Sequence, residues 1–170
     1  MKSKRVVTKI GDIFSVKIEK NSKRHFQLIA FDLTQLNSDV IRAFATAYPV
    51  SAEPNISDIV NDEVDFYAHC VIKWGVRLGF WEKIGNAVDV GELNDILFRD
   101  TSDYGHSEGE EPIRKSNNWY VWHIGDDDFT RVGELEGENR NAEIGVVMDP
   151  VSIVERLKTG RYGGFYPDYE

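Results

Sequence analysis

With 170 residues, 41% of them apolar and 29% charged, the chain can build one core and is not composed like a disordered polymer. A single cysteine, Cys70, excludes an intramolecular disulfide, and no run is long and apolar enough to span a bilayer. The formal net charge of −9 disfavours nucleic acid as a partner.

The start, Met1-Lys2-Ser3-Lys4-Arg5, is basic, but no apolar segment of a signal peptide follows it, so a cytoplasmic location is expected. Over residues 9–19, Phe14, Val16 and Ile18 alternate with Ser15, Lys17 and Glu19, which predicts a strand with one wet face. Gly11-Asp12 forms the bend into it, and Lys20–Lys23 is a polar turn. Residues 24–33 are apolar on both faces around Phe26, Leu28, Ile29 and Phe31, so the pair reads as a hairpin with a central second strand. Residues 38–48 fit two periods. Val40, Ile41, Phe44, Ala45 and Tyr48 suit a helix; Val40, Arg42, Phe44, Thr46 and Tyr48 suit a strand.

Ile56 to Asn61 reads as a helical turn capped by Asn55 or Ser57. Asp65 to Ile72, rich in β-branched and aromatic residues, reads as a strand holding Cys70 as a small buried hydrophobe. Gly75 and Gly79 argue against a long helix in the apolar corner 74–81. Short strands are expected within 81–84 and 94–99. The polar stretch 100–118 reads as a long surface loop, a kind that is often functional. Residues 118–124 alternate strongly, Gly125–Asp128 turns the chain, and 129–133 returns it as a second hairpin. After a strand at 142–148, Asp149 and Pro150 supply the cap and first residue of a helix with Ile153, Val154 and Leu157 on its inner side and Gly160 at its end. The aromatic, glycine-rich tail is expected to lie over the body. Many strands, few helices and no βαβ alternation predict a single domain, residues 1–170, of mainly β (α+β) class. Its antiparallel sheet is expected to be strongly curved or barrel-like, with a C-terminal helix and one or two short helices.

Charge is split along the chain. Residues 1–24 hold eight basic groups against two acids, whereas residues 100–143 hold twelve acids against four basic groups. A divalent-metal site could be assembled from Asp103, His106, His123 and Asp126, but such residues are common in acidic loops. No nucleotide-binding, EF-hand or nucleophile motif is present. The stronger signal is acids beside aromatic rings, a combination suited to a protein partner. The candidate contact residues are Tyr104, Glu108, Glu110, Glu111, Trp119, Trp122 and the Asp126, Asp127 and Asp128 tip, although alternation must turn some of these rings inward.

Three short blocks carry a family resemblance: Gly11-Asp12-Ile13-Phe14 with His25-Phe26-Gln27, Trp81-Glu82-Lys83-Ile84-Gly85-Asn86, and residues 142–150. In this order they resemble the immunity protein 26 family of bacterial polymorphic-toxin systems, also labelled phosphotriesterase-like. The resemblance implies a mainly β fold, favours residues 40–48 as a third strand, and implies a role in neutralising a neighbouring protein toxin; the acidic half of the chain suits a basic one. It brings no catalytic residue and no cofactor. The rival expectations are a metal-assisted phosphoester or phosphotriester hydrolase, from the second label and the His and Asp residues above, and a nucleic-acid-binding barrel, from the basic N-terminal stretch.

Overall fold

The computed structural model describes residues 5–170. The basic residues Lys2 and Lys4 lie outside the described residues. The hairpin read from the N-terminal alternation forms as β1 (Asp12–Glu19) and β2 (Ser22–Asp32), paired Phe14 to Phe26 and Val16 to Arg24. Residues 38–48 resolve as β3 (Ser38–Phe44) followed by the two-residue β4 (Tyr48–Pro49). Strand wins over helix because β3 lies between β2 and β5 (Val64–Cys70), which satisfy its backbone on both sides. Helix α1 (Ile56–Val60) precedes β5. Then α2 (Ile72–Leu78), closed by a left-handed Gly79, leads into β6 (Trp81–Asn86).

With β11 (Val147–Met148), these strands form one sheet in the order β11-β5-β3-β2-β1-β6, with β4 on the end of β2. A second sheet is made of β7 (Leu97–Thr101), β8 (Trp119–His123), β9 (Thr130–Gly133) and β10 (Glu143–Ile144), in the order β10-β7-β8-β9. Neither sheet closes on itself, so the strands form two open sheets and no closed barrel. The single strand expected at 142–148 is two: β10 (Glu143–Ile144) runs parallel to β7, and β11 (Val147–Met148) runs parallel to β5. This short segment, with Gly145 between its halves, crosses from one sheet to the other. Among the named strands, pairing is antiparallel except at these two points.

One face of the first sheet, with Phe14, Val16, Phe26, Leu28, Ile41 and Phe66, packs under Trp81 and under Ile153 and Leu157 of α3 (Pro150–Thr159). Helix α3 starts as the residues dictate: the Asp149 Oδ1 accepts a 2.8 Å hydrogen bond from the Ser152 amide, Pro150 is first, and Gly160 ends it in the left-handed region. On the opposite face, Ile29 and Val40 meet Phe98 and Trp122 of the second sheet and Ile96 just before β7. Arg24 is buried rather than part of a basic surface. Its guanidinium donates to the Phe44 and Leu157 carbonyls and to Asp65, tying β2, β3, β5 and α3 together.

The three blocks behind the family resemblance are structural. Asp12, fully buried, accepts from Asn86 at 3.0 Å and pairs with Lys83 at 2.7 Å, so the first block locks onto the second across β1 and β6. Gly11 has a positive φ of 92°, and a β-carbon there would run into the Ala87 carbonyl. In the third block, Gly145 lies flat against the Trp122 ring, leaving no room for a side chain.

Candidate partner-binding site

Strand β8 decides where the candidate rings go. Its side chains alternate between two covered faces. Trp119 and Val121 pack with Leu135 and Ala142 beneath Tyr166 and Tyr169 of the tail, while Trp122 packs with Phe98 and Ile29 against the first sheet. Both indoles are 1% exposed, so Trp119 and Trp122 are core residues and not contact residues. The alternation of residues 118–124 is real, but the tail covers one face and the first sheet the other. Tyr104 is the candidate ring that does reach solvent, 48% exposed and packed against Tyr166 at 5.2 Å.

The candidate acids do not share one patch. Glu108, Glu110 and Glu111 are exposed on the loop between β7 and β8, which enters β8 at Trp119. Asp126, Asp127 and Asp128 lie on the tip that leaves β8 at His123. The two groups are therefore attached to opposite ends of β8, roughly 13 Å apart along the strand axis. The same division separates the proposed metal ligands. Asp103 is held in its own loop by Ser116 at 2.7 Å and Asn118 at 3.0 Å, whereas the Asp126 Oδ2 accepts from the His123 amide at 2.8 Å and lies 3.5 Å from its Nδ1. Among the described residues, no group of three or more His, Cys, Asp or Glu side chains is arranged to hold a metal ion.

At the His123 end the structure brings together acids that are scattered in the chain. A cleft of about 660 Å³ opens between the two sheets, with Asp65, Asp95, His123, Glu138 and Glu143 on its walls. Asp65 comes from β5, Asp95 from the turn before β7, Glu138 from the 3₁₀ helix Gly137–Asn141, and Glu143 from β10. Among the described residues, no lysine or arginine lines it. Two of the four carboxylates are already paired from behind: Asp65 with Arg24 at 2.7 Å, and Glu143 with Arg156 at 3.0 Å. Burial pushes the Glu143 carboxyl up, against the opposing pull of Arg156. Its Oε1 also accepts the Tyr67 amide at 3.3 Å, so Glu143 braces the cleft wall. Asp95 and Glu138 are exposed, and neither forms an ion pair among the described residues.

The Asp126–Asp128 tip borders this cleft through His123. It is held in place by the first sheet, since the Gln35 side-chain amide donates to the Asp126 carbonyl at 2.7 Å. Of the residues read from the sequence, neither the acids at 108–111 and 126–128 nor the two indoles line the cleft, and the tip adjoins it only through His123. Glu138 and Glu143 fall in the acid-rich half of the chain, but Asp65 and Asp95 carry no local signal. Only the approach of β5 to the start of β7 makes them neighbours.

Fold and site together define a two-sheet, mainly β protein with an acidic cleft between its sheets. No family model, no curated protein and no solved structure matches the chain. No helix among the described residues is long and apolar enough to cross a membrane.

Proposed function

We propose that this chain is a binding protein of the immunity type, which neutralises a basic protein toxin by engaging it at the acidic cleft and the adjoining Asp126–Asp128 tip. The observation that carries the reading is the cleft itself: carboxylates from four separate elements face one opening, and no lysine or arginine among the described residues lines it. Asp95 and Glu138 hold unpaired negative charge at the rim, where a lysine or arginine of a partner gains an ion pair with little desolvation. The chain's net charge of −9 adds long-range attraction for a basic partner. The short blocks similar to the immunity protein 26 family supply the toxin context.

The test is co-expression with a toxin gene found beside this one. Growth should be rescued, and a complex should be isolated whose affinity falls with added salt. Changing Asp95, Asp127 and Asp128 together to Asn should weaken that complex roughly 5- to 30-fold and flatten its salt dependence. A chain that gives no rescue against any neighbouring toxin, or a complex indifferent to these charges, would overturn the reading.

A further inference from the structure

We propose that the partner enters the acidic cleft as an extended segment, with lysine or arginine at alternate positions, that adds a strand to the open edge of β5. The inference rests on the reading of the cleft as a partner-binding site and names what enters it. Strand β3 pairs with β5 along its whole length, from Asp39 opposite Cys70 to Phe44 opposite Val64. On the other side, β11 meets only His69 and Cys70. Among the described residues, no strand covers that side of Val64–Tyr67, about 13 Å of edge.

This edge turns its backbone towards the cleft. The Tyr67 amide donates to the Glu143 Oε1 at 3.3 Å, a side-chain oxygen standing where a neighbouring strand would offer a carbonyl. The β3 register also passes over Asp65, because Ala43 is opposite Phe66 and Phe44 is opposite Val64. Bulges of this kind re-aim side chains and recur at sheet edges and beside active sites. The four edge residues line the cleft across from Asp95, Ile96 and Leu97. Strand β10 pairs with β7 only at Phe98 and Arg99, so that wall too has no strand beside it. The chain reaches β10 from a 3₁₀ helix and not as a strand, which leaves the slot of about 660 Å³ open before Glu143.

Charge decides the occupant. An open edge supplies main-chain hydrogen bonds, and the side chains that line it supply specificity. An extended segment sends every second side chain to the same wall, about 7 Å apart. Asp95 and Glu138 are exposed acids without an ion pair among the described residues, and they suit the cations of such a segment. Val64 and Leu97, both half-buried, leave apolar surface for the residues between the cations. A second copy of this chain would set one acidic rim against another, and like charges at an edge oppose such pairing.

The experiment is an NMR titration of the isotope-labelled full chain with a capped peptide of alternating lysine and valine. A second peptide of the same sequence is N-methylated at every internal amide, which keeps the charge and removes the strand donors. Saturable shifts and slowed hydrogen exchange are expected along Val64–Tyr67. The methylated peptide should bind about 10-fold more weakly, the loss of one or two backbone hydrogen bonds. Asp95→Asn combined with Glu138→Gln should weaken the first peptide roughly 5-fold, while Glu110→Gln leaves it unchanged. Unshifted signals away from the cleft show that each variant keeps its fold. Equal binding of the two peptides would overturn strand addition and leave the acidic cleft standing as a binding site. That wider reading fails separately, in a toxin complex indifferent to these charges. Absence of saturable shifts along the β5 edge, or a dimer in sedimentation that the peptide dissociates, would also overturn the inference, the latter by giving the edge to a second copy.

Discussion

The Asp32 carboxylate accepts a 2.9 Å hydrogen bond from the His69 Nε2, and neither side chain has any exposed surface. This pair joins the end of β2 to β5, and His69 in turn lies against Phe98 at 4.2 Å, where the two sheets meet. Burial pushes the His69 imidazole down, more than Asp32 pulls it up, so the ring is a neutral donor. Burial also pushes the Asp32 carboxyl up, but the bonds from His69 and from the Gln35 and Gly125 amides outweigh it and hold it below its ordinary value. Because no solvent or substrate reaches the pair, it organises the sheet contact and does no chemistry. Replacing Asp32 by Ala leaves His69 and these amides without an acceptor. The expected loss is about 3 kcal/mol in urea unfolding at neutral pH. A change under 1 kcal/mol would show that water takes over the role of Asp32.

Acid should destabilise the protein earlier than carboxylate titration alone explains. Burial, reinforced by the charge of Lys23, pushes His25 down from 6.5 to about 4, and His69 is also lowered. Below pH 6.5 the unfolded chain therefore takes up protons that the folded chain refuses, so stability falls as the pH drops from about 6.5 towards 4. For His25 alone the loss is on the order of 3 kcal/mol across that window. Asp32 adds a further loss below this range, as the pH falls through its lowered folded value. Urea midpoints measured at intervals between pH 7.5 and 4 should decline, and His25→Phe, which keeps a ring against Tyr48, should make the decline shallower. An equally steep decline in the His25→Phe protein would contradict the assignment to His25.

Two glycines should resist the smallest substitution. A β-carbon on Gly145 would overlap the Trp122 ring, and one on Gly75 would overlap the Trp81 ring. Both rings are buried and enclosed, so neither can swing away cheaply. Gly145→Ala and Gly75→Ala should each cost about 1–3 kcal/mol, read from thermal or urea unfolding. At Gly75 this cost outweighs the helix-propensity gain of Ala, which is only about 1 kcal/mol.

Removing the α3 cap gives a smaller and separable effect. Asp149→Ala should lower stability by about 1 kcal/mol, since one side-chain acceptor for the Ser152 amide is lost at an exposed position. Asp149→Ser should recover most of it.

The division of the acids between the two ends of β8 has its own test. If the partner binds at the His123 end, changing Glu108, Glu110 and Glu111 together to Gln should alter its affinity less than 3-fold, through long-range charge alone. The matched triple change at Asp95, Asp127 and Asp128 should act several times more strongly. The reverse order would move the contact surface to the 102–118 loop.

Local chemistry was enough to read much of this protein from its residues. Alternation at Phe14, Val16 and Ile18 determined a strand, Asp149-Pro150 and Gly160 bounded a helix, and Gly125–Asp128 marked a hairpin tip, because each signal acts within a few residues of itself. The tertiary structure decided whatever depends on which element covers which. Residues 38–44 became a strand because β2 and β5 flank them, a choice their own period left open. Trp119 and Trp122 were buried by a tail and a sheet distant in the chain, so an acid-flanked aromatic strand became core. Asp65 and Asp95 became neighbours across a cleft although 30 positions apart, and the acids at 108–111 and 126–128 were parted by the one short strand between them. Side-chain type fixes what a residue can contribute, but a site is made by distances, and distances between remote residues are set only when the sheets pack.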